Sequence, residues 1–149
     1  MKEHAQEIAA IAQSFRLALE ELESQGVLPI VLSGFPRAAC GTTSTLLGDY
    51  LNQRFGKSIM YVFAIRESKP HAWLEHEGTV IDITADQFGD RPAVYIGPID
   101  DWYREWEVDS RTVAEHIPTA AYHDERRVLE RILNIAGLPS VERTSRSIS

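Results

Sequence analysis

Three residues of the chain carry the side chains of a nucleophile, a base and an orienting acid: Cys40, His71 and Asp82. A cysteine thiolate attacks a carbonyl carbon, an adjacent imidazole takes and returns the proton, and a carboxylate fixes the imidazole tautomer. Such a set performs acyl transfer through a thioester, which water hydrolyses or an amine converts into a new amide. Whether the three side chains can meet depends on the elements that carry them.

Cys40 is predicted to stand at the start of a helix, after a turn-forming loop that contains Gly34 and Pro36. In a first helical turn, unpaired backbone N–H groups and the helix dipole favour a thiolate. The same N–H groups can stabilise an oxyanion on a substrate carbonyl. The alternative interpretation of Cys40 is a small buried apolar residue, because free cysteines are often buried.

His71 and Asp82 are expected on the two strands of a β-hairpin, residues 71–76 and 79–84, which turns at Glu77-Gly78. With a two-residue turn, strand alternation points both side chains to one face as diagonal neighbours, with Cα atoms ~7–8 Å apart. A hydrogen bond from the imidazole N–H to the carboxylate is then geometrically reasonable. An aspartate inside an apolar strand pattern is disfavoured, which favours a functional role for Asp82. The alternative for His71 is a satisfied polar residue near a sheet edge.

Two further residues are candidates for the site. Asp86 is a rival orienting acid, although its looser sequence context favours a loop or cap role. Trp73 shares the predicted face with His71, where it would contact substrate or shield a thioester from water. Its alternative is a core aromatic residue packed on the sheet. The acidic, Trp-rich segment 99–119 has no clear period. We expect it to be solvated with its aromatic residues turned inward, and the alternatives are that it binds a basic peptide or lines a cleft.

The elements that position these residues follow from hydrophobic periodicity. Apolar residues at helical spacing predict helices over 3–24, 40–55 and 121–136. Aromatic and β-branched runs predict strands over 58–66, 71–76, 79–84 and 93–96. This order predicts a single α+β domain over 1–139, with N-terminal helices packed on an antiparallel sheet and a C-terminal helix. The polar residues 140–149 are expected to form a disordered tail.

Composition restricts the class of protein and of partner. Of the 149 residues, 44% are hydrophobic and 25% are charged, which is typical of a globular protein and excludes global disorder. The net charge of −7, without a dense Lys/Arg cluster, argues against nucleic acid as a partner. No apolar run is long enough to cross a membrane.

Cysteine usage indicates the compartment. One cysteine forms neither an internal disulfide nor a Cys-rich zinc site, and the N-terminus lacks a signal-peptide pattern, so we expect the reducing cytosol. The sequence has no nucleotide-binding glycine pattern. Glu75 and His76 give only weak support for a metal site. We therefore expect no cofactor and no metal.

The chemical residues also resemble a known pattern. Residues 39–41 at a helix start, 71–75 on a strand and 81–84 on the next strand resemble the transglutaminase-like branch of the papain-like cysteine enzymes. The resemblance covers residues 35–88, and its most telling part is a His-x-Trp-x-Glu segment followed by an Asp-x-Thr strand. It implies a helix carrying Cys40 packed on an antiparallel sheet that carries His and then Asp. It also implies that Cys40 is the nucleophile, His71 the general base and acid, and Asp82 the orienting acid.

The expected function is therefore that of a cysteine-dependent peptidase, amidase or transglutaminase-like acyltransferase, acting on a protein or peptide that carries an amide. That superfamily usually has an aromatic residue directly after the nucleophile, where this chain has Gly41. This difference, the small size and the lack of a visible substrate domain support an alternative. In that alternative the chain is a catalytically inactive papain-like fold that binds proteins or peptides.

Overall fold

The computed structural model of the chain describes residues 4–28, 40–56, 58–115 and 122–141. The helices are α1 (Ala5–Ser24), α2 (Cys40–Phe55), α3 (Asp101–Arg104) and α4 (Tyr122–Ala136). The strands are β1 (Met60–Arg66), β2 (Lys69–His76), β3 (Thr79–Asp82), β4 (Tyr95–Pro98) and β5 (Glu107–Val113), and a 3₁₀ turn (Ala85–Phe88) follows β3. The predicted α+β class is thereby confirmed.

The five strands form one antiparallel sheet in the order β4-β3-β2-β1-β5. Strands β2 and β3 pair His76 with Thr79, which is the register predicted from the Glu77-Gly78 turn. Both turn residues have positive φ angles, 51° and 81°. A two-residue hairpin turn of type I′ requires such angles. The turn thus fixes which side chains of the hairpin share a face.

The sheet separates two apolar clusters. The larger cluster lies between the sheet and helices α1, α2 and α4, and includes Phe15, Leu47 and Leu74. The smaller cluster contains residues of the sheet and of the segment around α3: Val62, Ala64, Trp73, Val80, Tyr103 and Trp106. Because successive side chains of a strand point to opposite faces, Leu74 faces α2 whereas Trp73 and His71 face the smaller cluster.

Helix α2 approaches the sheet closely at Gly48. A Cβ atom at this position would lie 2.4 Å from the Ala114 Cβ and 2.9 Å from the Leu74 Cδ2. Distances this short are not tolerated, so a glycine is required for α2 to lie at this height above β2. The position of Gly48 therefore also sets where Cys40, the first residue of α2, stands relative to the strands.

Helix α1 is tied to the chain beyond β3 by Arg16, which is buried. Its guanidinium donates to both Asp86 carboxylate oxygens, at 2.8 and 2.7 Å, and to the Ile83 carbonyl oxygen at 2.9 Å. Burial opposes the charge of Arg16, but its carboxylate partners Asp86 and Glu20 outweigh burial and raise its pKa. Asp86 thus occupies the loop role that its context predicted, in the 3₁₀ turn and bonded to Arg16.

The limits of several elements differ from the predictions. Strand β1 begins at Met60 rather than at residue 58, β2 begins at Lys69 rather than at residue 71, and the strand predicted over 93–96 lies at Tyr95–Pro98. Strand β3 ends at Asp82 rather than at residue 84. The reason is that the Asp82 side chain accepts a hydrogen bond from the Thr84 backbone N–H, which turns the chain out of the sheet.

Two elements lie in a region for which none was predicted. Segment 99–119 contains α3 and the edge strand β5. The sequence pattern does not reveal strand β5 because all but two of its residues are exposed, which removes the apolar alternation of a half-buried strand. Of the predicted tail, Ser140 and Val141 have no regular structure, and residues 142–149 lie outside the described residues.

Candidate active site

His71 and Asp82 form a fully buried hydrogen-bonded pair on neighbouring strands. His71 Nε2 lies 2.7 Å from Asp82 Oδ2, and both side chains are 0% exposed. The contact predicted from the hairpin register is confirmed. Since an ionised carboxylate only accepts, the proton in this bond belongs to His71 Nε2. The carboxylate therefore selects one tautomer of the imidazole.

The Asp82 carboxylate is held from two further directions. Its Oδ1 accepts from the Thr84 backbone N–H at 3.0 Å, and its Oδ2 accepts from the Tyr103 hydroxyl at 2.7 Å. Burial is the main cause that raises the pKa of Tyr103, and the negative charge of Asp82 and the hydrogen bond add to it. The phenol thus remains protonated and keeps donating to Asp82.

The other imidazole nitrogen, His71 Nδ1, lies 3.3 Å from the Gln87 side-chain amide nitrogen. That amide nitrogen also donates to the Thr84 carbonyl oxygen at 3.1 Å, which fixes the amide orientation because a carbonyl oxygen only accepts. The imidazole therefore makes two hydrogen bonds: its Nε2–H donates to Asp82, and its Nδ1 accepts from the Gln87 side-chain amide. In this tautomer Nδ1 is the basic nitrogen.

Four aromatic rings surround the imidazole of His71. The ring centroids of Phe88, Trp73, Trp106 and Trp102 lie 5.0, 5.5, 5.5 and 6.1 Å from the imidazole centroid. We call these four residues the aromatic cage. The cage excludes water from the imidazole and presents ring faces and edges to it. An environment of this kind strengthens every polar interaction that remains inside.

The structure shows Trp73 in a packing role. Trp73 is buried in the smaller apolar cluster, and its indole N–H donates to Glu75 at 3.0 Å. The core interpretation of Trp73 is therefore correct for this conformation. A contact between Trp73 and substrate stays a prediction.

The cage is closed on its outer side by α3 and two arginines. The guanidinium groups of Arg66 and Arg91 stack on the Trp102 ring at 5.0 and 4.9 Å from its centroid. Arg91 also pairs with Asp100 at 2.9 Å, and Asp100 accepts hydrogen bonds from the first backbone N–H groups of α3. Burial opposes the ionisation of Asp100, but Arg91 and these N–H groups outweigh it and lower the pKa of Asp100. Ion pairs therefore anchor the turn that carries Trp102 over His71.

Cys40 is the first residue of α2, as predicted, and its side chain lies outside the described part of the structure. The residues that follow it lie against the strands beside His71. The Ser44 hydroxyl lies 3.5 Å from the Ala72 carbonyl oxygen, and a Cβ at Gly41 would lie 3.4 Å from the Tyr61 hydroxyl. The first turns of α2 thus adjoin the residue after His71 in β2.

Sequence reasoning identified the pair but missed most of its surroundings. Gln87 and Phe88 lie in the 3₁₀ turn, and Tyr103 and Trp106 lie in the segment without a period. No local pattern pointed to them, because each reaches the imidazole or the carboxylate through the tertiary fold. The one signal in the sequence is the concentration of tryptophan and tyrosine in segment 99–119, which predicts a solvated segment with inward-facing aromatic residues, a binding surface for a basic peptide or the lining of a cleft.

Among the residues that the structure describes, no group of three or more His, Cys, Asp or Glu side chains is placed to hold a metal ion. Within the same residues, no helix combines the length and the apolar character needed to cross a membrane. Comparison of the chain with the models of known protein families, with curated proteins and with solved structures finds no match.

Proposed function

We propose that the protein is a cysteine-dependent acyl-transfer enzyme in which Cys40 is the nucleophile, His71 the general base and acid, and Asp82 the orienting acid. The observation that carries the proposal is the buried His71–Asp82 pair, whose hydrogen bond leaves Nδ1 as the basic nitrogen. A peptidase, an amidase and a transglutaminase-like enzyme all use this arrangement. The substrate class is a protein or peptide that carries an amide.

The reaction divides into two steps that share one proton site. His71 Nδ1 takes the proton of the Cys40 thiol, and the thiolate adds to the amide carbonyl carbon. The imidazolium then returns the proton to the leaving amine as the C–N bond breaks, which leaves a thioester on Cys40. Water or an amine next attacks the thioester, again assisted by His71, and releases an acid or a new amide together with the free thiol.

The surroundings of the pair support this chemistry. Asp82 stabilises the imidazolium that forms in both steps, and the aromatic cage adds cation–π attraction to it. Oxyanion donors are available from the first backbone N–H groups of α2, which have no partner within the helix. A further donor is the buried Trp106 indole N–H, which has no acceptor among the described residues.

The papain-like, transglutaminase-like assignment of the fold is part of the same proposal. Its support is a helix that begins at Cys40 and packs on an antiparallel sheet, with His71 and Asp82 on the adjacent strands β2 and β3. Strand alternation directs the imidazole away from the face on which α2 packs. A working triad therefore requires the Cys40 thiol to meet Nδ1 beyond the N-terminal end of β2, next to Gln87.

A specific observation favours a second candidate, a binding module without catalysis. Both members of the pair are 0% exposed, and Trp102 closes over the imidazole under two arginines. A polar pair that is sealed in this way can act purely as a structural link between β2 and β3. In that case Cys40 would have the reactivity of an ordinary thiol.

Thiol labelling separates the two candidates, because Cys40 is the sole cysteine and every labelled molecule reports on it. Iodoacetamide labelling of the wild type across pH 5–9 is compared with His71→Gln and with the control His76→Gln at the far end of the hairpin. If Cys40 is a thiolate paired with His71, it reacts with iodoacetamide at pH values well below the ~8.5 pKa of a free cysteine, and of the two substitutions only His71→Gln removes that reactivity. A wild-type midpoint at or above ~8.5 that does not respond to His71→Gln would establish the binding module instead.

A further inference from the structure

Tyr103 lies in α3, outside the β2–β3 hairpin, and its side chain contacts the His71–Asp82 pair. Its hydroxyl donates to Asp82 Oδ2 at 2.7 Å, and its side chain is buried. The ring is held by Trp102, Trp73 and Tyr95, whose centroids lie 4.8, 4.9 and 5.2 Å away. This packing leaves the phenol little freedom to point elsewhere.

Two donors meet on a single carboxylate oxygen. His71 Nε2–H and the Tyr103 O–H both bond to Oδ2 at 2.7 Å, while Oδ1 takes the Thr84 backbone N–H. Because the Tyr103 hydroxyl partly neutralises the negative charge on Oδ2, the attraction between Oδ2 and the imidazole N–H is weaker. The hydroxyl therefore weakens the hold of Asp82 on an imidazolium, even as it fixes the plane of the carboxylate.

We propose that Tyr103 is a positioning residue that sets the basicity of His71 through Asp82, by sharing Oδ2 with the imidazole N–H. Without the hydroxyl, Oδ2 concentrates its charge on Nε2–H, the imidazolium is stabilised, and His71 binds its proton more tightly. With the hydroxyl, His71 releases the proton more readily to a leaving amine. The effect on the imidazole is a property of the structure itself, whereas its effect on turnover rests on the proposed function.

The two arginines nearest the pair each have a carboxylate partner other than Asp82, namely Asp100 for Arg91 and Glu105 for Arg66. Arg91 stacks on the Tyr103 ring at 5.2 Å, and Arg66 stacks on Trp106 at 4.6 Å. Gln87, on the Nδ1 side, is neutral. In the proposed function the Cys40 thiolate also faces Nδ1. The experiment is therefore done both on protein whose Cys40 is alkylated and on protein whose Cys40 thiol is free.

The test is Tyr103→Phe, with Tyr95→Phe as the matched control. Tyr95 packs against Tyr103 and pairs with Asp82 through the backbone, but its hydroxyl donates to the Pro98 carbonyl oxygen. Heteronuclear NMR follows the His71 imidazole of the full-length chain through a pH titration, and His71→Gln assigns the signal. We expect Tyr103→Phe to raise the titration midpoint of His71 by about one pH unit, a tenfold change in proton affinity, and Tyr95→Phe to leave it unchanged.

A second substitution predicts the opposite sign and preserves the shape of the ring. Site-specific 3-fluorotyrosine at position 103 is a stronger donor, so it lowers the titration midpoint of His71. At fixed pH, the Nε2–H resonance moves downfield in Tyr103→Phe and upfield with 3-fluorotyrosine as the bond to Asp82 strengthens or weakens. If neither substitution moves the midpoint or the resonance, or if Tyr95→Phe moves them equally, Tyr103 does not set the basicity of His71.

The outcome is separable from the outcome for the proposed function. If Tyr103→Phe shifts the titration midpoint of His71 while Cys40 shows ordinary thiol reactivity, the role of Tyr103 is supported and the proposed enzyme is refuted. If Cys40 is activated and the midpoint of His71 does not shift, the proposed enzyme is supported and the role of Tyr103 is refuted. Where both hold, Cys40 labelling near neutral pH becomes faster in Tyr103→Phe, because a more basic His71 stabilises the thiolate–imidazolium pair.

Discussion

Asp82→Asn replaces a carboxylate that receives three hydrogen bonds with an amide that can receive them on one oxygen only. If the amide oxygen stays beside His71 and Tyr103, its NH₂ group meets the Thr84 backbone N–H, and two donors oppose each other. If the amide is turned over, the NH₂ group faces His71 and drives its proton to Nδ1. The basic nitrogen beside Gln87 is lost in that arrangement.

The two arrangements set the expected magnitudes. One unsatisfied buried donor costs about 1–3 kcal/mol of unfolding free energy, so the variant folds but is less stable. In acyl-transfer triads the corresponding change lowers turnover ~10⁴-fold, because the imidazole adopts the wrong tautomer. For Cys40 labelling near pH 6.5 we expect at least a tenfold slower rate, which equals about one unit in the thiol pKa.

Asp86→Asn is the matched control, since it removes a carboxylate of the same type a few residues away. It weakens the Arg16 contacts and is expected to lower the unfolding free energy by about 2–3 kcal/mol. This is less than the full cost of breaking a buried ion pair, because Asp86 is partly exposed. Urea unfolding measures stability, and iodoacetamide labelling in folded protein measures reactivity. The reasoning is refuted if both variants lose stability and Asp82→Asn still labels at the wild-type rate.

Three further substitutions test the fold around the site by urea unfolding. Gly48→Ala is expected to lower the unfolding free energy by about 1–3 kcal/mol, because a Cβ 2.4 Å from the Ala114 Cβ forces α2 off the sheet, and a more stable variant would contradict the packing. Arg16→Met removes the donor to Asp86 and to two carbonyl oxygens, and it is expected to lower the unfolding free energy by about 2–4 kcal/mol. Cys40 labelling should not change, and slower labelling at matched stability would show that α1 is coupled to the site. The raised pKa of Tyr103 means that its protonated hydroxyl adds full stability below the unfolded-state value of ~10 and loses it as the pH rises above that value. The stability difference between wild type and Tyr103→Phe should therefore shrink between pH 9 and pH 11, and a constant difference would mean that the phenol titrates normally in the fold.

The parts of the site that are local in sequence could be predicted from sequence. Glu77-Gly78 is a strong two-residue turn signal, and once the turn is fixed, alternation alone places His71 and Asp82 on one face. The start of α2 at Cys40 followed from turn residues before it and helical spacing after it. Each of these inferences uses interactions within about ten residues, where pattern and structure are closely linked.

The parts that depend on tertiary contacts could not be predicted. Arg16 lies within the apolar stripe of α1, and its burial is explained only by Asp86, seventy positions away. Tyr103 belongs to a helix of four residues, which is too short to show a period. Strand β5 is an exposed edge strand, whose pairing with β1 leaves no alternation in its own sequence.

The distance between the Cys40 Sγ and the His71 Nδ1 tests the central claim most directly, and a crystal structure of the full chain in its reduced form measures it. A functioning triad predicts a separation of about 3–4 Å beyond the N-terminal end of β2, with His71 Nε2 still bonded to Asp82. A thiol buried between α2 and the sheet, more than about 6 Å from the imidazole, would contradict the enzyme and leave the buried pair as a structural link.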